Sequence, residues 1–99
     1  MESESTPAEL LKAREEIDVI DREIVALLAQ RFELTHKVGR LKASWSLNSL
    51  DSQREAEKLA NIAALCEQNN LNPLLVTELF TRIMEEVVRN HNRLRESLR

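Results

Sequence analysis

Two of three cations in the first half of the sequence are spaced so that one helix could aim them at a common ligand. Arg31 and Lys42 are eleven residues apart, or three helical turns, so their side chains share one face about 16 Å apart along the axis. Arg14 lies four heptads before Lys42 and points the same way, but it is some 25 Å from Arg31 within one chain. Cations that converge on a cavity suit a small anion with two carboxylates.

The composition predicts that helices position these cations. The 99-residue sequence contains 1 Gly and 2 Pro, only 3% of its residues are aromatic, and 31% are charged. Few turn formers, few strand-forming aromatics and many charged residues are typical of an all-α protein. We expect a single domain over residues 1–99, with residues 1–6 as a flexible tail.

Charge and composition argue against several classes of function. A net charge of −3 lacks the cationic excess that binding to a phosphate backbone needs, so no nucleic-acid partner is expected. The longest apolar run, residues 24–29, is too short to cross a membrane, and the acidic opening MESESTPAE resembles no signal peptide. With one cysteine, Cys66, and two distant histidines, His36 and His91, neither a disulfide nor a metal site is predicted. We therefore expect a cytoplasmic protein that uses no cofactor.

The first predicted helix is unusually long. It begins near residue 7, after Thr6 as the N-cap and with Glu9 as the capping-box acid, and it continues to about residue 42. Its seam follows heptad spacing through Leu10, Ala13, Ile17, Ile20, Ile24, Leu27, Arg31, Leu34, Val38 and Leu41.

Two shorter helices follow. The second is predicted over Ser52–Gln68, with Ser52 and Glu55 as a capping box, and the third begins at Pro73 after the N-cap Asn72 and continues to the end of the chain. The inner face of the second is predicted to carry Ala56, Leu59, Ile62, Ala63 and Cys66. The inner face of the third is predicted to carry Val76, Phe80, Ile83, Val87, His91, Leu94 and Leu98.

Helix length has a consequence for assembly. A helix over residues 7–42 is roughly 54 Å long, whereas a compact chain of this size has a radius of gyration of about 13 Å. Part of the apolar seam would therefore extend beyond its own globule and form an association surface. We expect an intertwined homodimer in which the two long helices run antiparallel, so that the partner's Arg14 approaches Arg31 and Lys42.

Two polar residues interrupt predicted apolar faces. Arg31 lies in the heptad seam, where burying an unpaired charge is costly, and an internal ion pair with Glu23, Glu33 or an acid of the second helix is the structural alternative to ligand binding. His91 interrupts the inner face of the third helix, where a hydrogen-bonded core histidine would be the ordinary interpretation.

The start of the second helix carries a cation that capping does not explain. Asp51 and Glu55 favour the positive end of the helix dipole, whereas Arg54 opposes it. This arrangement suggests that Arg54 has a role beyond the local helix.

With these residues in order, the sequence resembles the all-helical (AroQ-type) chorismate mutases, a family that also includes isochorismate pyruvate lyase. The similarity runs from Leu10 to beyond His91 through the segments REEIDVID, LLAQRFEL, VGRLK, DSQRE and LFTRIMEEVV. A short motif within one of these segments is only weakly specific for a family, whereas the ordered set of residues is strongly specific. That set consists of Arg14, Arg31, Lys42, Asp51, Arg54 and Glu55.

The resemblance implies a three-helix protomer, entwined as a homodimer, that converts chorismate to prephenate in aromatic amino acid biosynthesis. It implies that Arg31 and the partner's Arg14 bind the two carboxylates of the substrate. It also implies that Lys42 contacts a carboxylate and the ether oxygen of the bond that breaks.

The remaining implied site residues lie on the second and third helices. Arg54 would help to close the site, and Asp51 and Glu55 would face the ring hydroxyl. Two positions depart from the family pattern: Val87 replaces a small polar residue, and His91 replaces the Gln or Glu beside the ether oxygen. A histidine can donate a hydrogen bond in either protonation state, but the neutral form has a single donor. The residues expected to act in catalysis are Arg31, Lys42, Glu55 and His91.

Other functions compete with this interpretation. Isochorismate pyruvate lyase and aminodeoxychorismate mutase activities are similar in fold, and the departures at Val87 and His91 leave them open. From a different class, the chain could be a non-catalytic helical dimerisation or regulatory module in which the seam cations form internal salt bridges.

Overall fold

The described part of the chain consists of three α-helices. The computed structural model describes residues 7–48 and 50–98, and these contain α1 (Ala8–Ser44), α2 (Ser52–Gln68) and α3 (Pro73–Ser97) without any strand. The prediction of an all-α, three-helix fold with one very long first helix is therefore confirmed. None of these described helices is both long and apolar enough to cross a membrane.

The first helix begins and ends close to its predicted limits. It starts at Ala8, and the carbonyl of Pro7 accepts hydrogen bonds from the backbone N–H groups of Leu10 and Leu11 at 3.1 and 3.2 Å. It continues to Ser44, two residues beyond the predicted end. The predicted N-cap Thr6 and the predicted tail 1–6 lie outside the described residues.

The predicted limits of α2 are confirmed, but its predicted capping box is wrong. The N-cap is Asp51, whose backbone is extended (φ −126°, ψ 91°) and whose side chain accepts a hydrogen bond from the N–H of Arg54 at 3.0 Å. Ser52 is already helical and therefore cannot act as the cap. The reason is that Asp51 and Ser52 both carry a suitable acceptor, and the backbone conformation decides between them.

α2 and α3 pack against each other and are connected by a tight turn. Asn70 adopts a left-handed conformation (φ 57°), which asparagine tolerates better than most residues, and the N–H of Leu71 returns to the carbonyl of Cys66 at 2.9 Å. Asn72 then caps α3 by accepting from the N–H of Leu74 at 3.0 Å, with Pro73 in the first turn, as predicted.

By its internal contacts, the chain divides into two compact units, Met1–Glu33 and Leu34–Arg99. In the first unit, described residues 7–33 include no buried side chain. Its apolar seam residues remain solvent-exposed in one chain: Leu10, Ile17, Ile20, Ile24 and Leu27. The expectation of a single domain stays a prediction.

The second unit has a small core. Its buried apolar residues are Ile62 and Cys66 on α2 and Ile83 and Met84 on α3. Within the predicted inner face of α2, Ala56 is exposed, because it lies about 120° around the helix from Ile62. Leu98, predicted on the inner face of α3, is also exposed, since α3 ends at Ser97 and Leu98 is only its C-cap residue.

Candidate active site

A cavity in the second unit combines charged and apolar walls. It encloses about 90 Å³. The last turn of α1 contributes one cation, the start of α2 contributes two carboxylates and a guanidinium, and α3 contributes an apolar surface and an imidazole. The lining residues are Lys42, Asp51, Arg54, Glu55, Met84, Val87, Val88 and His91.

The capped start of α2 positions three of these side chains. Because the Asp51 carboxylate holds the N–H of Arg54, the turn that carries Arg54 and Glu55 has a fixed orientation. Glu55 is half-buried and Arg54 is exposed. Together with Lys42, this turn provides both signs of charge around the cavity, which suits a ligand that carries carboxylates and a hydroxyl.

His91 is anchored to α1 by one ring nitrogen. Its side chain is 6% exposed, and Nε2 lies 2.8 Å from the backbone carbonyl oxygen of Thr35. A carbonyl can only accept a hydrogen bond, so Nε2 carries the proton and donates it. The other nitrogen, Nδ1, is buried and has no hydrogen-bond partner among the described residues.

Gly39 makes room for the His91 ring. A Cβ atom at position 39 would lie 2.5 Å from Cδ2 of His91, 2.9 Å from its Nε2 and 3.3 Å from its Cγ. Any larger residue would therefore displace the ring or the backbone. Gly39 is the only glycine of the sequence and lies in the interior of α1, where glycine costs roughly 0.5–1 kcal/mol relative to alanine. The close approach of the His91 ring explains why a glycine occupies this helical position.

Six of the eight predicted site residues line this one cavity. These are Lys42, Asp51, Arg54, Glu55, Val87 and His91. The other two, Arg14 and Arg31, belong to the first unit, where Arg14 is exposed and Arg31 is half-buried. Their participation in the site stays a prediction.

Sequence reasoning missed four residues that shape the cavity. Met84 and Val88 line it, and a signal was present, because both share a helical face with Val87 and His91 at spacings of three, four and seven. Thr35 and Gly39 hold the imidazole, and the single glycine inside a predicted helix was the available signal for the second of them. Among the described residues, no cluster of His, Cys, Asp or Glu has the composition of a metal site.

A comparison with known protein families identifies the family of this chain. Residues 13–92 match the family described as chorismate mutase type II. The chain belongs to that family. The match covers parts of all three helices and every predicted site residue.

Individual relatives support the same assignment. The chain is 34% identical over 85 residues to the T-protein of Enterobacter agglomerans, which covers 86% of this chain and 23% of that protein. It is 37% identical over 86 residues to the bifunctional chorismate mutase/prephenate dehydratase of Buchnera aphidicola subsp. Schizaphis graminum, covering 87% and 22%. For the protein of the same name from Escherichia coli (strain K12), the identity is 35% over 79 residues, covering 80% and 20%. The chain thus spans about a fifth of the length of these curated relatives.

Proposed function

We propose that this chain catalyses the rearrangement of chorismate to prephenate, as an isomerase of aromatic amino acid biosynthesis in the cytoplasm. The observation that carries the proposal is the cavity itself. Lys42 and Arg54 place cations beside an apolar wall formed by Met84, Val87 and Val88. An unsaturated ring that bears carboxylates needs both kinds of surface.

The charged groups and the shape of the cavity suffice for catalysis because of the kind of reaction involved. Chorismate rearranges within one molecule: a C–O bond breaks while a C–C bond forms, and negative charge grows on the ether oxygen. The enzyme must hold the folded diaxial conformer and place hydrogen-bond donors where that charge develops. No nucleophile or proton transfer is required.

Each cavity residue has a role in this mechanism. Lys42 donates to a carboxylate and to the ether oxygen, and His91 lies beside the same oxygen. Glu55 and Asp51 accept from the ring hydroxyl, and Arg54 covers the bound substrate. A millionfold acceleration needs about 8 kcal/mol of differential stabilisation, which two or three desolvated, charge-assisted contacts and conformational restraint can supply.

The two carboxylates are held by residues of the first unit. Arg31 binds one carboxylate from the same chain, and the partner's Arg14 binds the other across a homodimer interface. The size of the cavity supports this division, because its volume of about 90 Å³ is well below the roughly 300–1,000 Å³ of typical small-molecule sites. Further walls are needed to enclose a substrate.

The exposed seam of α1 supports the homodimer. Ile17, Ile20 and Leu27 are 54%, 53% and 62% exposed in one chain, and they recur at the spacing of one helical face. A continuous apolar stripe of this kind marks an association surface. A second copy of α1 provides a complementary one.

Val87 and His91 leave isochorismate pyruvate lyase and aminodeoxychorismate mutase as competing functions, and the first of these is included in the test. These two departures from the family pattern lie at the cavity wall, so they could adapt the site to isochorismate. The purified protein should therefore be incubated separately with chorismate and with isochorismate, and the products identified by chromatography. Lys42→Ala serves as the control for a contaminating activity.

The assay separates the candidate functions. Prephenate formed from chorismate, and lost in Lys42→Ala, is the expected result. Salicylate and pyruvate formed from isochorismate alone would replace the mutase assignment with a lyase. No consumption of either compound would reject both and favour a non-catalytic helical dimer.

A further inference from the structure

The hydrogen bond between His91 and Thr35 determines which nitrogen of the imidazole keeps unused hydrogen-bonding capacity. Nε2 donates to the Thr35 carbonyl at 2.8 Å, and the ring is packed against Gly39 through Cδ2, Nε2 and Cγ. Those three atoms form one edge of the five-membered ring. The opposite edge, Nδ1–Cε1, is therefore turned away from the Gly39 backbone.

Nδ1 is the atom of His91 with unused hydrogen-bonding capacity. It is buried, has no partner among the described residues, and belongs to a side chain that lines the cavity. Because the Thr35 carbonyl keeps the proton on Nε2, a neutral ring has a lone pair on Nδ1 and acts there only as an acceptor. Only the doubly protonated ring can donate from this atom.

We propose that His91 acts on the substrate through Nδ1 and only as the imidazolium, so that the reaction slows as the pH rises. This inference rests on the proposed function. An acceptor beside the ether oxygen would oppose the negative charge that develops there, whereas an imidazolium N–H would stabilise it. The anchor on α1 thus makes the rate depend on a titrating group, which a glutamine at the same position would not do.

The charges around the cavity permit this protonation. Lys42 on α1 and Arg54 on α2 are cationic, and Asp51 and Glu55 at the start of α2 are anionic, so their formal charges cancel. The other α3 residues that line the cavity are uncharged, as are Thr35 and Gly39, against which the ring packs. Arg95, one turn after His91 on α3, is a half-buried cation. A bound dicarboxylate adds negative charge and favours the imidazolium.

The first measurement tests the tautomer without using activity. Uniformly ¹⁵N-labelled protein has two histidines, and His36→Gln assigns the remaining imidazole signals to His91. Long-range ¹H–¹⁵N correlation spectra at alkaline pH should show the neutral ring protonated at Nε2. A ring protonated at Nδ1 would overturn the proposal.

The second measurement is the pH dependence of kcat/KM for chorismate. The wild-type value should fall by up to tenfold for each pH unit as the pH rises, because loss of the imidazolium proton removes the donor at Nδ1. At high pH, the wild-type kcat/KM should level off near the kcat/KM of His91→Leu, about 10²-fold below the acidic plateau. His91→Gln should be active and lack this transition, while His36→Gln, on an exposed side chain, should keep the wild-type profile.

The outcomes separate this inference from the proposed function. Turnover by the wild type with a flat profile, or a transition that persists in His91→Gln, would overturn the role of the imidazolium and leave the mutase activity intact. No turnover by any of these proteins at any pH would overturn the proposed function and this inference with it.

Discussion

The two units of the chain use the same kind of helix in opposite ways. Residues 7–33 bury no side chain and expose their apolar seam, whereas the second unit encloses Ile62, Cys66, Ile83 and Met84 and surrounds a cavity. Hydrophobic burial is the main favourable term in folding. The difference teaches that the second unit supplies its own core, whereas the apolar seam of the first unit is exposed in one chain, which is why we propose that a second copy covers it.

The proposed catalytic residues divide along the same line. Six predicted site residues lie around a cavity of the second unit, and the two arginines proposed to bind the carboxylates lie on the first. A site divided in this way is incomplete until the seam of the first unit is paired. A mutation in the cavity should therefore lower activity without affecting assembly, whereas a mutation in the seam should lower both.

The largest expected effect concerns the cavity of the second unit. Lys42→Ala removes a charged donor from the developing negative charge, so kcat/KM should fall about 10²–10³-fold without loss of the dimer. Lys37→Ala, five residues earlier on an exposed side chain, is the matched control and should change the rate less than about twofold. Steady-state kinetics compares the two variants, and equal losses would remove Lys42 from the site.

The next effect tests the exposed seam of the first unit. Ile24→Asp places a charge in the proposed dimer interface and should raise the dissociation constant of the dimer at least about 100-fold. Val25→Asp is the matched control: Val25 is 67% exposed but lies about 100° around the helix, off the seam. Sedimentation velocity over a range of concentrations measures both. Unchanged association in Ile24→Asp would show that the seam does not form the interface.

The contact between Gly39 and His91 is tested by a smaller effect, the change in the free energy of unfolding caused by Gly39→Ala. This change should have opposite signs in the wild type and in a His91→Ala variant. In the wild type, Gly39→Ala should lower the free energy of unfolding by about 1–3 kcal/mol, because its Cβ overlaps the imidazole. In a His91→Ala background the overlap is gone, and the same change should stabilise α1 by about 0.8–1 kcal/mol. Urea denaturation at a fixed protein concentration gives both values. The same sign in both backgrounds would mean that Gly39 does not accommodate the ring.

The smallest effect concerns the start of α2. Asp51→Ala removes the acceptor for the N–H of Arg54 and should cost about 1 kcal/mol of stability, whereas Ser52→Ala should be nearly neutral. Asp51→Asn retains a capping acceptor and should recover most of the loss. Denaturation midpoints measure all three, and a larger loss in Ser52→Ala would restore Ser52 as the cap.

Much of the fold could be predicted from the sequence because its signals are local. Asn72 caps α3 and Pro73 fits its first turn, so these two residues specify where α3 begins. The predicted start of α2 is correct because it also rests on local capping chemistry. The choice of Asp51 over Ser52 as the cap could not be predicted, since it depends on a backbone conformation that either residue tolerates. Local chemistry locates a helix end to within a residue without identifying the group that caps it.

For the candidate site, the identity of most polar residues could be predicted, but the orientation of His91 could not. The ordered motif set included four residues that line one cavity, and the resemblance added Val87 and His91 to the same cavity, although these residues lie as far apart in sequence as Lys42 and His91. The anchoring of His91 was not predictable, because Thr35 takes part through a backbone carbonyl that carries no sequence signal. Its orientation depends on how α1 and α3 pack, and only the structure gives that information.

The central claim is that one site needs the second unit of one chain and Arg14 of another, and mixed dimers test it most directly. Arg14→Ala and Lys42→Ala proteins, each expected to be about 10²–10³-fold impaired alone, should be mixed, unfolded and refolded together. Half of the random dimers then contain one intact site, so about a quarter of wild-type activity should return. No recovery above the sum of the two separate variants, with mixed dimers verified by mass, would contradict the claim that Arg14 acts across the interface.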